Sequence, residues 1–268
     1  MKSINAHTKL HEIIATKQVH LEAKKAKKPY SQLEQELQAL PSFKGPSFFE
    51  ALKSDQAMPK IIAEVKKASP SKGVISRDFS LAAINEAYQA ANNVVAISVL
   101  TEEDYFQGSD EVLEFFAANN TNNKPLLRKD FIFDPYQVLE SKLLGAQAYL
   151  LIAALLEADE LNELVDLGQK IGIEPLVEVH DKAELKLAKS TNARVIGVNC
   201  RDLKTFMIDS EVHELLKSID DSYARIAESA IDSKEYLKYV SAFCDAALIG
   251  SYFMSHGNIA DAIKEMAA

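Results

Sequence analysis

From Lys60 onward the chain repeats one pattern: a short run of β-branched and other apolar residues, then a longer stretch whose apolar positions recur at helical spacing. Runs of the first kind read as strands and stretches of the second kind as helices, the order expected of βα units around a parallel sheet. The runs predict eight strands, at Ile61 to Val65, Val94 to Val99, Leu126 to Arg128, Ala148 to Ile152, Pro175 to Val179, Val195 to Val198, Arg225 to Ala227 and Ala247 to Ile249. Helices fit between them, for example over Leu81 to Ala91, Asp159 to Lys170, Asp181 to Lys189 and Ser233 to Val240. Pro135 follows Asp134 where a helix would begin, and proline suits that position because the first turn leaves its N–H unbonded in any case. Eight such units favour an α/β (β/α)₈ (TIM) barrel over an open doubly wound sheet.

Ahead of the first strand, Leu10, Ile13, Ile14 and Leu21 fall near one helical face, and Leu33, Leu37 and Leu40 continue it up to Pro41 and the Gly45-Pro46 break. The expected organisation is a helical extension over residues 1–45 and a barrel over 46–268. The lysines of the extension, Lys24, Lys25, Lys27 and Lys28, are expected to form a solvated face.

A length of 268 residues with 47% hydrophobic content fits one large domain. The net charge of −9 argues against a nucleic-acid partner, which needs a basic face to displace counterions, so an anionic ligand would need a local positive site. No apolar run approaches the roughly 20 residues that cross a bilayer. Two cysteines, Cys200 and Cys244, are too few for a disulfide framework, and the extension is too rich in acids for an organelle presequence. A cytoplasmic protein, with a monomer favoured, is the expectation. Neither the dinucleotide-binding glycine fingerprint nor a P-loop is present, and His180 and His256 lack metal-ligand spacing, so no cofactor and no metal are expected.

Barrels assemble their sites at the carboxyl ends of the strands, and polar residues gather there in this sequence. Alternation along a strand places Ile62, Glu64 and Lys66 on one side, Leu176 with Glu178, and Gly197 with Asn199. Each charge taken singly has a plain structural reading: an ion pair for Glu64 and Lys66, a solvent-reaching lysine for Lys129, a helix-capping carboxylate for Glu178. Together they put acid and base candidates at one end of the barrel. Ser229 beyond the seventh strand and Gly250-Ser251 beyond the eighth stand where barrels hold phosphate on backbone N–H groups. Cys200, adjacent to an inward Asn199, is expected to point the other way, into packing.

Several ordered strings resemble the indole-3-glycerol-phosphate synthase family. They run from Ala63-Glu64-Val65-Lys66-Lys67-Ala68-Ser69-Pro70-Ser71-Lys72-Gly73, through Ile97 to Glu102 with Phe106-Gln107-Gly108-Ser109, and Leu127-Arg128-Lys129-Asp130-Phe131-Ile132 with Asp134-Pro135-Tyr136. They continue with Glu174 to His180, Gly197-Val198-Asn199-Cys200-Arg201-Asp202-Leu203, Ala227-Glu228-Ser229 and Ile249-Gly250-Ser251. The extension resembles the family's additional N-terminal segment, which covers the barrel mouth.

The resemblance implies ring closure, decarboxylation and dehydration of 1-(2-carboxyphenylamino)-1-deoxyribulose 5-phosphate to indole-3-glycerol phosphate, carbon dioxide and water. It makes Lys129 the general acid and Glu178 the base, with Glu64 and Lys66 orienting the substrate and sharing proton traffic. Asn199, counted with the catalytic set, and Arg201 match positions that hold substrate polar groups, and Ser69 is a further carboxylate contact. The phosphate would rest on Ser229, Ala230, Gly250 and Ser251. Ala230 departs from the family, which usually has glycine there, and glycine would let the backbone approach a phosphate more closely. A related phosphate-binding barrel isomerase has no reason to combine Glu64, Lys66, Lys129 and Glu178. A catalytically silent barrel would be expected to lack one of them.

Overall fold

A computed structural model describes residues 2, 9–55, 59–70, 73–75, 79–202 and 207–267; of the strings above, Ser71, Lys72 and Leu203 lie outside the described residues. Eight parallel strands close into a barrel in chain order: β1 (Ile61–Val65), β2 (Val94–Leu100), β3 (Leu126–Lys129), β4 (Ala148–Ile152), β5 (Glu174–Val179), β6 (Val195–Asn199), β7 (Ala224–Glu228) and β8 (Ala246–Ile249). Closure is by β1 pairing with both β2 and β8. Every predicted strand is present, within one residue at either end. Buried on both faces, these strands are apolar nearly throughout, as sheets covered by helices must be.

Helices α1 (Lys9–Lys27), α2 (Tyr30–Gln38) and α3 (Phe48–Lys53) precede the barrel. The outer layer consists of α4 (Leu81–Ala90), α5 (Asp110–Ala118), α6 (Pro135–Leu143), α7 (Ala158–Ile171), α8 (Lys182–Lys189), a 3₁₀ helix (Ser210–Ser218), α9 (Lys234–Val240), α10 (Ser251–Ser255) and α11 (Ile259–Ala267). Start signals match the sequence: Asp134, Asp181 and Ser233 each accept a backbone N–H of the helix they precede. Among the described residues, no helix is long and apolar enough to cross a membrane.

The residues before β1 run from one end of the barrel to the other. In α1, Leu10, Ile13, Ile14 and Leu21 are buried, and Lys17 is buried with them, its Nζ 2.7 Å from Asp130 just beyond β3. Contrary to the solvated face expected for the lysines, Lys24 lies 2.9 Å from Glu140 and Lys25 2.7 Å from Asp134, which ties the helix to the start of α6. Lys27 is exposed as expected. Pro29 divides the extension, and α2 packs Leu33 against Tyr136 and Leu139 of α6.

The short α3 is held by a capping box between Ser47 and Glu50. It seals the amino-terminal end of the barrel, with Phe48 and Leu52 fully buried in the core. Lys53 pairs with Asp245 at 3.1 Å, and Arg194 stacks over Phe49 at 4.5 Å. The barrel is therefore closed below and approached from the carboxyl ends of its strands.

Candidate active site

A cavity of about 280 Å³ opens at the carboxyl ends of the strands. It is lined by ten of the residues named from sequence: Glu64, Lys66, Lys129, Glu178, Asn199, Arg201, Ser229, Ala230, Gly250 and Ser251. Ser69 lies apart, in a two-residue antiparallel pairing with Gly73 beyond β1, and is not in the lining. Tyr252 and the apolar side chains of Phe106, Phe131, Leu150 and Ile208 contribute to the walls.

Strand parity explains the convergence. In β3, Lys129 points into the barrel, and the fully buried Arg128 points outward to the partly buried carboxylates of Glu140 at 2.8 Å and Asp110 at 3.0 Å. Burial opposes the Arg128 charge, but the carboxylates of Asp110, Glu140 and Asp130 outweigh it and raise its pKa. In β1, Glu64 and Lys66 fall on the inner side, and Lys66 Nζ donates to Glu64 Oε2. The main-chain carbonyl of Glu64 accepts from Tyr88 Oη at 2.9 Å.

Two glycines leave room for these carboxylates. A Cβ on Gly250 would meet the Glu64 side chain, with its Cβ only 2.9 Å away, and a Cβ on Gly197 would meet the carboxyl carbon of Glu228 at 3.1 Å. Neither glycine could take a side chain without moving an acid that faces the cavity.

Lys129 stands between two acids. Its Nζ is 2.9 Å from Glu178 Oε2 and also donates to Glu228 Oε2. Burial would lower the lysine's pKa, but Glu178, Glu228 and Glu64 outweigh that and hold it well above the usual range, so the ammonium form is secure. One cation cannot fully neutralise two adjacent carboxylates. Glu178 stays on the ionised side: burial pushes it up, and Lys129 and His180 pull it below its ordinary value. Glu228 carries the excess. Burial and the Glu178 charge raise it to about 7 against the pull of Lys129, and its Oε1 is buried without a hydrogen-bond partner.

Glu228 lies within the resembling string Ala227-Glu228-Ser229, and the resemblance implies no role for it. Parity along β7 was the signal that could have found it, since Ile226 and Glu228 share a side and Glu228 is in register with Asn199. His180, just before the Asp181 cap of α8, is largely buried beside the site, its Nε2 3.5 Å from Glu178 and its Nδ1 2.9 Å from Glu184. Burial lowers its pKa, and Glu184, Glu178 and Glu228 more than reverse that. Cys200 is buried in packing as expected, with its thiol pushed up to about 11 by burial.

Across the cavity, Asn199 Oδ1 accepts from Ser229 Oγ at 2.8 Å and from the backbone N–H of Arg201 at 3.0 Å. Ser229 and Ala230 both adopt the left-handed region, with φ of 67° and 56°. Two consecutive residues with side chains in that region are held against a steric cost of about 1–2 kcal/mol each.

A family model described as indole-3-glycerol phosphate synthase matches residues 10–266. The indole-3-glycerol phosphate synthase of Campylobacter jejuni subsp. doylei is 43% identical over 259 residues, covering 96% of this chain and 99% of that protein. That of Thermoanaerobacter pseudethanolicus is 40% identical over 262 residues, covering 96% and 97%. Among solved structures, a 3-hexulose-6-phosphate synthase superposes with a TM-score of 0.60 at 12% identity, over 78% of this chain and 98% of that one, a likeness of fold alone. Matched along nearly its whole length by the family model and by full-length relatives, the chain belongs to the indole-3-glycerol phosphate synthase family.

Proposed function

We propose that the cavity closes the indole ring of 1-(2-carboxyphenylamino)-1-deoxyribulose 5-phosphate, releasing carbon dioxide and water to give indole-3-glycerol phosphate. The observation that carries this reading is the buried ammonium of Lys129 held against Glu178 at the cavity wall. Ring closure needs a proton delivered to the oxygen of the ribulose ketone as an aromatic carbon attacks it. Lys129, fixed in its charged form, supplies that proton as general acid.

Decarboxylation then returns the electron pair to the ring, and dehydration requires a base to take a ring proton while hydroxide leaves with proton assistance. Glu178, kept ionised, is the base. Glu228, titrating near neutrality beside Lys129, is suited to resupply the lysine's proton. Glu64 and Lys66 orient the substrate and share proton traffic, and Asn199 and Arg201 hold its polar groups. Arg201 is the residue type suited to a two-pronged carboxylate contact.

The phosphate is held by Ser229, Ala230, Gly250 and Ser251, with Ser69 as a further carboxylate contact once substrate is bound. In the same reading the extension over residues 1–45 covers the barrel mouth, supported by the Lys17–Asp130 pair, and the protein is a cytoplasmic monomer. Purified protein given the carboxyphenylamino substrate, with no metal or nucleotide added, is expected to produce indole fluorescence. A folded sample that produces none above background would refute the activity.

A further inference from the structure

The strained turn at Ser229-Ala230 is anchored from behind by a histidine outside the cavity lining. His213, on the 3₁₀ helix, is buried, and its Nε2 lies 3.0 Å from the main-chain oxygen of Glu228, the residue immediately before the turn. A carbonyl can only accept, so Nε2 carries the hydrogen. Nδ1 of the neutral ring is then the acceptor, and Tyr236 Oη donates its one hydrogen to it at 2.8 Å in preference to the Ser210 carbonyl, which lies farther away at 3.3 Å. Burial lowers the pKa of His213 and favours this neutral form. The Tyr236 ring also stacks beside the imidazole, with centroids 5.9 Å apart and planes 27° from parallel.

The Glu228 carbonyl has one other donor, the Cys200 N–H at 3.3 Å, so both of its lone pairs are used. The peptide bond is planar and trans, and fixing this carbonyl fixes the Ser229 N–H on the opposite side of the same plane, away from the 3₁₀ helix. We propose that His213, oriented by Tyr236, is a positioning residue that holds the Glu228–Ser229 peptide and so sets the left-handed Ser229-Ala230 turn for binding the substrate's phosphate. This rests on the phosphate assignment above, and its expected signature is a loss of binding, since His213 meets the main-chain oxygen of Glu228 and not its carboxylate.

The test compares His213→Met, which fills the space without a donor, with His213→Gln, which can return an N–H to the carbonyl. Inorganic phosphate affinity, by titration, is read beside KM and kcat. His213→Met is expected to weaken phosphate binding and raise KM by about tenfold each, with kcat within about twofold of wild type. His213→Gln is expected to recover most of the loss. If His213→Met does not fold, Tyr236→Phe keeps the stacked ring and removes the hydroxyl that orients the imidazole, together with its longer contact to the Ser210 carbonyl, and about a threefold weakening of phosphate is expected. Wild-type phosphate affinity in a folded His213→Met or Tyr236→Phe protein would overturn the proposal, and so would equal losses in the Met and Gln variants. Wild-type protein that binds phosphate but forms no indole would remove the activity and leave the positioning role standing.

Discussion

Lys129 and Glu178 meet at 2.9 Å although 49 residues separate them in sequence and β4 lies between their strands in the barrel. Each is the inward side chain at the carboxyl end of its strand, and closure of the sheet brings the two together. Replacing Lys129 by methionine is expected to lower kcat by about 10²- to 10⁴-fold, the usual worth of a general acid. It also leaves Glu178 and Glu228 without their shared cation. Thermal unfolding is therefore expected to show a larger stability loss at pH 8 than at pH 6, where the acids can share a proton. Near-normal turnover would mean that another group donates the proton.

Glu228 gives a second pH test. Its pKa in the folded protein, about 7, lies above the value of about 4.3 expected in an unfolded chain. The folded state binds this proton more tightly, so the stabilisation is fully present below about pH 4 and is lost as pH rises through 7. Glu228→Gln removes that dependence. Relative to wild type, the variant should gain up to about 3 kcal/mol between pH 5 and pH 8. Denaturant unfolding at the two pH values measures the gap, and a constant gap would show that Glu228 does not titrate in this window.

At Ala230 the backbone φ of 56° favours glycine. Release of the left-handed strain, partly offset by the greater freedom of glycine in the unfolded chain, is expected to make Ala230→Gly more stable by about 0.5–1 kcal/mol. Substrate should bind more tightly as well. An unchanged KM would place the phosphate elsewhere.

Lys17 and Asp130 join α1 to the loop beyond β3 in a setting that excludes most water. Asp130 also accepts from Thr101 at 2.6 Å and lies 3.5 Å from Arg128, so it is not stranded when the lysine is removed. Lys17→Met is accordingly expected to cost about 1–3 kcal/mol, below the range for breaking an isolated buried pair. Hydrogen exchange should quicken along α1 and leave the barrel strands unaffected. Uniform exchange across the molecule would show that this contact does not hold the helix.

The barrel was legible because its strands are apolar runs of a few residues bounded by turns, and strand parity follows once their ends are known. That parity groups Glu64 with Lys66, Glu178 with Leu176 and Asn199 with Gly197, each on one side of its strand. Glu228 is missed because the apolar run that predicts β7 ends at Ala227, and the strand continues one residue further, to put Glu228 on the same side as Ile226.

The extension was harder. Its lysines look solvated because their partners, Asp130, Asp134 and Glu140, come from a distant stretch of chain. The short α3 left a readable signal in Ser47 and Glu50, which satisfy the spacing of a capping box. The 3₁₀ helix has only a single N-cap as its mark, Asp209, whose side chain accepts the Glu211 N–H. His213 gained its place only through the carbonyl it meets.

The stopper formed by Phe48 and Leu52 has a consequence for traffic. Among the described residues the base is corked, so the cavity beside Lys129 opens at the rim formed by the strands' carboxyl ends, and a molecule leaving Lys129 by that rim has to clear the threshold before the next can enter.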